Sequence, residues 1–478
     1  MLNLSIAQIN EKLKNKAIRA SEIFELTQKK TQKYEDSTGA FLAMPNDGKK
    51  KAEGIDKLIE KNHDIHLLAG IPFSVKDNIS AADMPMTCGS EMLCDYTPSF
   101  DASVVARIKE KQGILKGKTN LNEFGIGGGT ETSAFHQTYH PLEQGKEKDS
   151  TKEIAGGGAA ALASGQVLFA LESDVSGEMR MDALKCGLTA LKPSYPTVSK
   201  HGLVSYAPSL DQIGIIARSA VDCGEVWQSL PGKDEFDMSV RNHPAPNGPW
   251  DGEVKSLRIG IPSEVLQNKI GEGAKEIVLK TAVDLEKMGA DIEECSLPHL
   301  KESSAISYII SSAEASSSLA RFDGVRFGKR NIEAKDILTM YMKTRGEGFG
   351  EKVKKRIVAG TLFLSTDGYE SYYEYAAKIR SLLIHDFKQA LMSYDCLLMP
   401  VSFLNRDEVD EREKNAACAA VNLVGLPTVS FPCCLTQDAP AGVQLVGKMF
   451  DERTIVKIAN RYQKEIDWKT RKKGTEPV

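Results

Sequence analysis

The residues most able to do chemistry lie in three short stretches. Ser173-Asp174-Val175-Ser176-Gly177-Glu178-Met179-Arg180 follows the apolar run Val167–Leu171. A buried strand emptying into a Ser/Gly loop is where many hydrolases hold a nucleophile, and this loop carries Ser173, Ser176 and the carboxylate of Glu178. Lys76 closes a second apolar run, Ile71-Pro72-Phe73-Ser74-Val75, beside Asp77 and Asn78. A desolvated lysine can lose its proton near neutral pH and act as a base, although most lysines are simply solvated. The third stretch, Gly156-Gly157-Gly158, opens an alanine-rich segment. Its backbone N–H groups could approach an anion at a helix start. It lacks the Lys-Ser/Thr ending of a phosphate loop, and close helix packing explains the three glycines equally well.

The elements that must position these stretches follow from pattern. Ser5-Ile6-Ala7-Gln8 has the form of a capping box. Ile6, Ile9 and Leu13 then share a helical face. A second helix is expected after Ser21, and residues 1–65 read as a helical lead-in. Strands are expected at 71–75, 114–118, 167–171, 257–262 and 394–400. Helices alternate with them, one capped by Asp101 and carrying Val104, Val105 and Ile108, another carrying Val278, Ala282 and Leu285 and ending at Gly289. Residues 305–393 are mostly helical in pattern. The Pro-rich stretch 243–253 reads as a connection.

Composition bounds the function. The chain has 478 residues, 41% hydrophobic and 26% charged, with a net charge of -4. That argues for a globular protein and against a large bare nucleic-acid surface. The nine cysteines form no Cys-x-x-Cys pair, so neither a disulfide framework nor a zinc site is signalled, and buried thiols in a reducing cytoplasm are expected. No signal peptide and no run of 18 apolar residues is present, so no membrane association is expected.

Taken together, GIPFSVKDN, MTCGSEML, FDASVVARI, GKTNLNEFGIGGGTETSAF, CGLTALKPSY and LVSYAPSLDQIG resemble the amidase signature family. EASSSLARFDGVRFG, KTRGEGFGEKVKKRI and VNLVGLPTVSFPC are similar, within it, to the A-subunit branch of the glutamyl-tRNA(Gln) amidotransferases, the glutaminase half of a tRNA-dependent transamidase. The resemblance spans residues 5 to 465. It implies an α/β fold, the amidase-signature fold, with a large mixed twisted sheet flanked by helices on both faces. It implies one domain over 1–478: a helical N-terminal segment (1–65), a signature core (66–242) and a C-terminal part (254–478). It also implies partners resembling amidotransferase subunits B and C, tRNA contacted only indirectly, a cytoplasmic location, and no metal or organic cofactor.

The resemblance further implies a Ser–Ser–Lys centre, in which a lysine deprotonates a bridging serine that activates a nucleophilic serine, with loop N–H groups as oxyanion hole. Lys76 matches the lysine. The nucleophile position of the S-D-T-G-G-S-I-R loop holds Glu178, and the bridging-serine position of the G-G-S-S-G-G loop holds Ile154. Ile154 can neither donate nor accept a proton. The G-S-S-T stretch reads Gly127-Gly128-Gly129-Thr130. Arg356 matches the arginine that pairs with the glutamine carboxylate, Tyr308 the tyrosine lining that pocket, and Asn415 the acid that holds the glutamine ammonium. The expectation is therefore a pseudo-amidase that acts by binding a partner or ligand. The alternative is a working glutaminase with a re-registered nucleophile, Ser176, and Ser150 or Thr151 as relay. Attack by Glu178 itself is disfavoured, because an anhydride is far more reactive than an amide. A Lys76–Glu178 ion pair filling the former site is the plainer outcome.

Overall fold

Runs that are apolar at every position, such as Phe169-Ala170-Leu171, suit strands covered on both faces. The computed structural model describes residues 1–141, 154–241, 243, 248–266, 272–401, 416–436 and 439–470, and it places those runs in one eleven-stranded sheet. In chain order the strands are β1 (Phe41–Ala43), β2 (Pro72–Lys76), β3 (Ile114–Thr119), β4 (Phe169–Asp174), β5 (Thr189–Lys192), β6 (Gln212–Ala217), β7 (Arg258–Pro262), β8 (Asp291–Cys295), β9 (Cys396–Pro400), β10 (Thr428–Thr436) and β11 (Ala439–Gly447). Their spatial order is β1-β3-β2-β4-β6-β5-β10-β11-β9-β7-β8.

The sheet is mixed. β2 runs parallel to β3 and β4, and β7 runs parallel to β8 and β9. The strands from β4 through β6, β5, β10 and β11 to β9 pair antiparallel. Strands from both sides of the Pro-rich stretch thus share one ladder.

Helices occupy the connections: α1 (Ile6–Lys14), α2 (Ala20–Thr38), α3 (Gly48–Glu60), α4 (Ser103–Glu110), α5 (Gly157–Ala163), α6 (Glu178–Lys185), α7 (Ala220–Trp227), α8 (Glu272–Lys287), α9 (Ser303–Ser318), α10 (Ile337–Gly348), α11 (Glu351–Phe363), α12 (Tyr375–Ser393), α13 (Ala416–Val424) and α14 (Glu452–Glu465). The Ser5 box forms as its sequence demands, with Gln8 N donating to Ser5 Oγ and Ser5 N to Gln8 Oε1. Ile6, Ile9 and Leu13 are buried in the main core, as are Val278, Ala282 and Leu285 of α8.

Two local expectations fail. The N-terminal segment is not wholly helical, because β1 pairs antiparallel with β3 at the sheet edge. Asp101 does not cap α4: its Oδ1 accepts from Ala82 N at 2.8 Å and Lys109 Nζ at 2.6 Å, and Ala102 takes the cap position. A short acid before a helix is a good cap only if no nearer donor competes for it.

The arrangement around β2 matters most for function. Phe73 pairs with Phe169 and Val75 with Leu171, and the two phenyl rings stack at 5.2 Å. Parallel pairing brings the carboxyl ends of β2 and β4 to the same edge of the sheet. Loops leaving such ends form the customary ligand crevice of open α/β sheets.

Candidate functional site

Lys76, the last residue of β2, is 6% exposed. Its Nζ donates to Ser173 O at 3.0 Å and lies 3.5 Å from Glu172 Oε2. Burial opposes the charge, but Glu172 foremost, then Glu178, Asp182 and Asp211, outweigh it and raise the lysine pKa. Lys76 is therefore held as a cation and is no base at neutral pH.

The acids around it are strained the other way. Burial pushes Glu172 up to about 7, against the pull of Lys76 and a 3.2 Å hydrogen bond from Thr119. Burial also pushes Asp211 up to about 7 and raises Asp182. Asp182 Oδ2 accepts from Gly129 N at 3.1 Å, while its Oδ1 has no partner among the described residues. One ammonium faces more buried carboxyls than it can neutralise, so part of this group keeps its protons near neutral pH.

Glu178 makes its hydrogen bonds within its own loop. It is the first residue of α6, entered through Gly177 at φ 110°. Its Oε2 accepts from Val175 N at 3.0 Å and Ser176 N at 2.8 Å. Its Oε1 accepts from the Ser176 hydroxyl at 2.8 Å. The next amide, Gly177 N, donates to Asp174 Oδ1 at 2.7 Å. Three successive loop N–H groups, the kind of donors that would receive an oxyanion, are thus taken by carboxylates of the same loop.

Below the loop, Arg180 forms a fully buried fork on Asp174, at 3.0 and 3.2 Å. It also donates to Gln444 Oε1 at 2.7 Å, to Cys418 O at 3.1 Å and to Asn422 Oδ1. Asn422 Nδ2 returns to Asp174 O at 3.0 Å. Every charge here has a partner, which makes this network the rigid base of the loop.

Arg356 and Tyr308 do come together. Arg356 lies over the Tyr308 ring at 4.1 Å, and its Nη1 donates to Ser311 and Ser312 hydroxyls at 3.1 Å each. α11 carries Arg356 and is tied down at its start, where Gly350 N donates to Glu123 Oε2 at 2.9 Å. Tyr206 is buried, and burial foremost raises its pKa well above the usual phenol range, with Glu178 adding to the rise and Arg356 opposing it.

The anticipated Lys76–Glu178 pair does not form as read from the sequence. Lys76 pairs with Glu172, and Glu178 bonds its own loop, because two amides and a hydroxyl within three residues are closer donors than an ammonium on another strand. Ile154 is half-buried and bridges to Tyr139, and Ala155 N donates to Thr138 O at 3.0 Å. Asn415, Ser150 and Thr151 lie outside the described residues. Sequence reasoning missed Glu172, Asp182, Asp211, Tyr206 and Asn422. One signal was available: Glu172 follows the apolar run Phe169-Ala170-Leu171 within a buried strand, where an unpaired charge is rarely tolerated. Among the described residues no three His, Cys, Asp or Glu side chains are grouped to hold a metal ion, and no helix is long and apolar enough to cross a membrane.

Comparison with known proteins bears on this geometry. The amidase family model matches residues 22–456. The glutamyl-tRNA(Gln) amidotransferase A subunit of Bacillus cytotoxicus is 39% identical over 480 residues, covering 98% of each chain. The crystal structure of the corresponding Thermotoga maritima protein is similar at a TM-score of 0.77 and 30% identity, over 98% of this chain and 95% of that one. The peptide amidase of Stenotrophomonas maltophilia shares the fold at a TM-score of 0.79 and 20% identity, over 97% of each chain.

Proposed function

The chain belongs to the amidase family, and we propose that it is a pseudo-amidase of the A-subunit type that has lost serine amidase chemistry and acts by binding. The observation that carries this reading is the seat of Glu178. Its carboxylate lies on Val175 N and Ser176 N, where a tetrahedral intermediate would need free donors. Two further points support it. Ile154 offers no proton relay, and Lys76 is held as a cation by Glu172. Amide hydrolysis needs a nucleophile, a base and an oxyanion site together; here each is altered.

What remains is a binding architecture. Arg356 over Tyr308 still presents a guanidinium, suited to a carboxylate such as that of an amino acid. Partners resembling subunits B and C of the amidotransferase fit a chain of this type, in the cytoplasm, with tRNA contacted through them. The shared ladder supports reading the chain as one domain.

A second reading has one observation in its favour. The Ser176 hydroxyl donates to Glu178, as a serine does to a carboxylate base. A working amidase would then use Ser176, with Glu178 leaving the amides during turnover.

The experiment is ammonia release from glutamine and asparagine, with the chain alone and with B- and C-like subunits, beside Ser176→Ala and Lys76→Ala. No turnover above the variants, against an active family member as control, is the expected result. Turnover abolished by Ser176→Ala would establish the second reading instead.

A further inference from the structure

One large cleft lies among the described residues. It has a volume of about 1310 Å³, and Leu203, Val204 and Ser205 are among the residues that line it. Neither Lys76, Glu178 nor Arg356 does so. Its apolar wall is a stack of three rings: Phe100 on His201 at 5.1 Å, and His201 on Phe236 at 4.6 Å. The rim is exposed and apolar, with Phe236 at 74%, Phe327 at 54% and Ile332 at 87%.

Size and exposure together select the occupant. Small-molecule pockets run to about 300–1,000 Å³ and bury their linings. This cleft exceeds that range, and its rim side chains stand too far out for a small ligand to cover them. Large exposed apolar groups on a rim mark a surface that another protein covers.

Charge selects the partner's chemistry. Lys200, Arg321, Arg326, Lys329 and Arg330 line the cleft, against Asp95 and Asp237. Arg326 is paired with Asp323 and Lys329 with Glu91. Lys200, Arg321 and Arg330 make no ion pair with a carboxylate among the described residues, and donate instead to neutral oxygens such as Pro208 O, Ser318 O and Gly324 O. Asp237 accepts from Ser239 N in its own turn and from Lys200 N across the cleft lining. The lining therefore carries more basic than acidic side chains around an aromatic wall.

We propose that this cleft docks a segment of a partner protein that carries aromatic or aliphatic anchors flanked by Asp and Glu. The anchors enter against the Phe100–His201–Phe236 stack, and the acids meet Lys200, Arg321 and Arg330. Desolvated apolar anchors supply most of such affinity and the charges supply selectivity. The proposal goes beyond the loss of amide chemistry and does not depend on it.

The test uses the full chain and two fluorescein-labelled peptides of about 12 residues: one alternating Glu with Phe and Leu, the other with Lys in place of every Glu. Fluorescence anisotropy reads binding. The acidic peptide is expected to bind at least tenfold more tightly than the basic one. Arg321→Glu and Phe236→Ser are each expected to weaken it at least tenfold with unchanged melting temperature, since both side chains are exposed. Equal binding of the two peptides, or binding indifferent to both substitutions, would overturn the proposal. So would saturable binding of the small amphipathic anion 8-anilinonaphthalene-1-sulfonate, lost in Phe236→Ser, with no binding of the acidic peptide. No arm reads hydrolysis, so failure here leaves the amidase question untouched.

Discussion

At the scale of single residues, the site is a set of charges sorted by distance. Glu178 binds what lies within three residues of it, and Lys76 binds what the neighbouring strand presents. Removing the Glu178 carboxylate in Glu178→Ala leaves the buried amide of Val175 and the partly buried amide of Ser176 without their acceptor. A loss of about 2 kcal/mol is expected, read by chemical denaturation, with no gain in ammonia release. Lys76→Met has a different signature. It strips Glu172 of its cation, and breaking a buried pair costs about 3–5 kcal/mol while the survivor is charged. At pH 8 Glu172 must ionise in the folded chain or hold its proton at a cost. At pH 5 it is protonated, since burial already lifts it to about 7. Urea denaturation at the two pH values should therefore show the larger loss at pH 8.

At the scale of elements, the turn between β4 and α6 decides the loop. Gly177 has φ 110°, a conformation that side chains rarely adopt, and a Cβ there would collide with Cys418 of α13. Gly177→Ala meets both strain and overpacking, and a loss of about 2–4 kcal/mol is expected. Amide hydrogen exchange should show faster exchange at Val175 and Ser176 in this variant, because the turn that aims Glu178 back at them is displaced. Unchanged protection there would mean that the loop does not depend on its glycine.

At the scale of the whole molecule, buried acids shape the pH profile. Asp211 ionises near 3.8 in an unfolded chain and at about 7 when folded. Its folded pKa is raised, so its contribution favours folding least at high pH: no cost arises below 3.8, and the cost grows as pH climbs to about 7 and then levels. A shift of about three pKa units is worth about 4 kcal/mol. Glu172 and Glu123, each pushed to about 7 by burial, act in the same direction. Stability is therefore expected to fall between about pH 4 and pH 7, and Asp211→Asn to flatten that fall. A variant profile parallel to the parent's would exclude Asp211 as a source.

Much of the fold was legible because it depends on local pattern. Apolar runs marked strands β2, β3, β4, β7 and β9 to within two or three residues, and the Ser5 box marked α1. Ile154 and Glu178 stood out against the family motif because a motif compares residues one by one. The partners of those residues were not legible. Glu172 lies 96 positions from Lys76 in the chain, and Asp182 reaches Gly129 across 53. Strand pairing, not spacing, made them neighbours. By itself the chain's order of residues determined the α/β architecture and which side chains stand at positions 154 and 178. Tertiary structure alone decided that Lys76 answers to Glu172 while Glu178 covers the loop amides, because a buried charge takes whichever partner the packed backbone brings within reach.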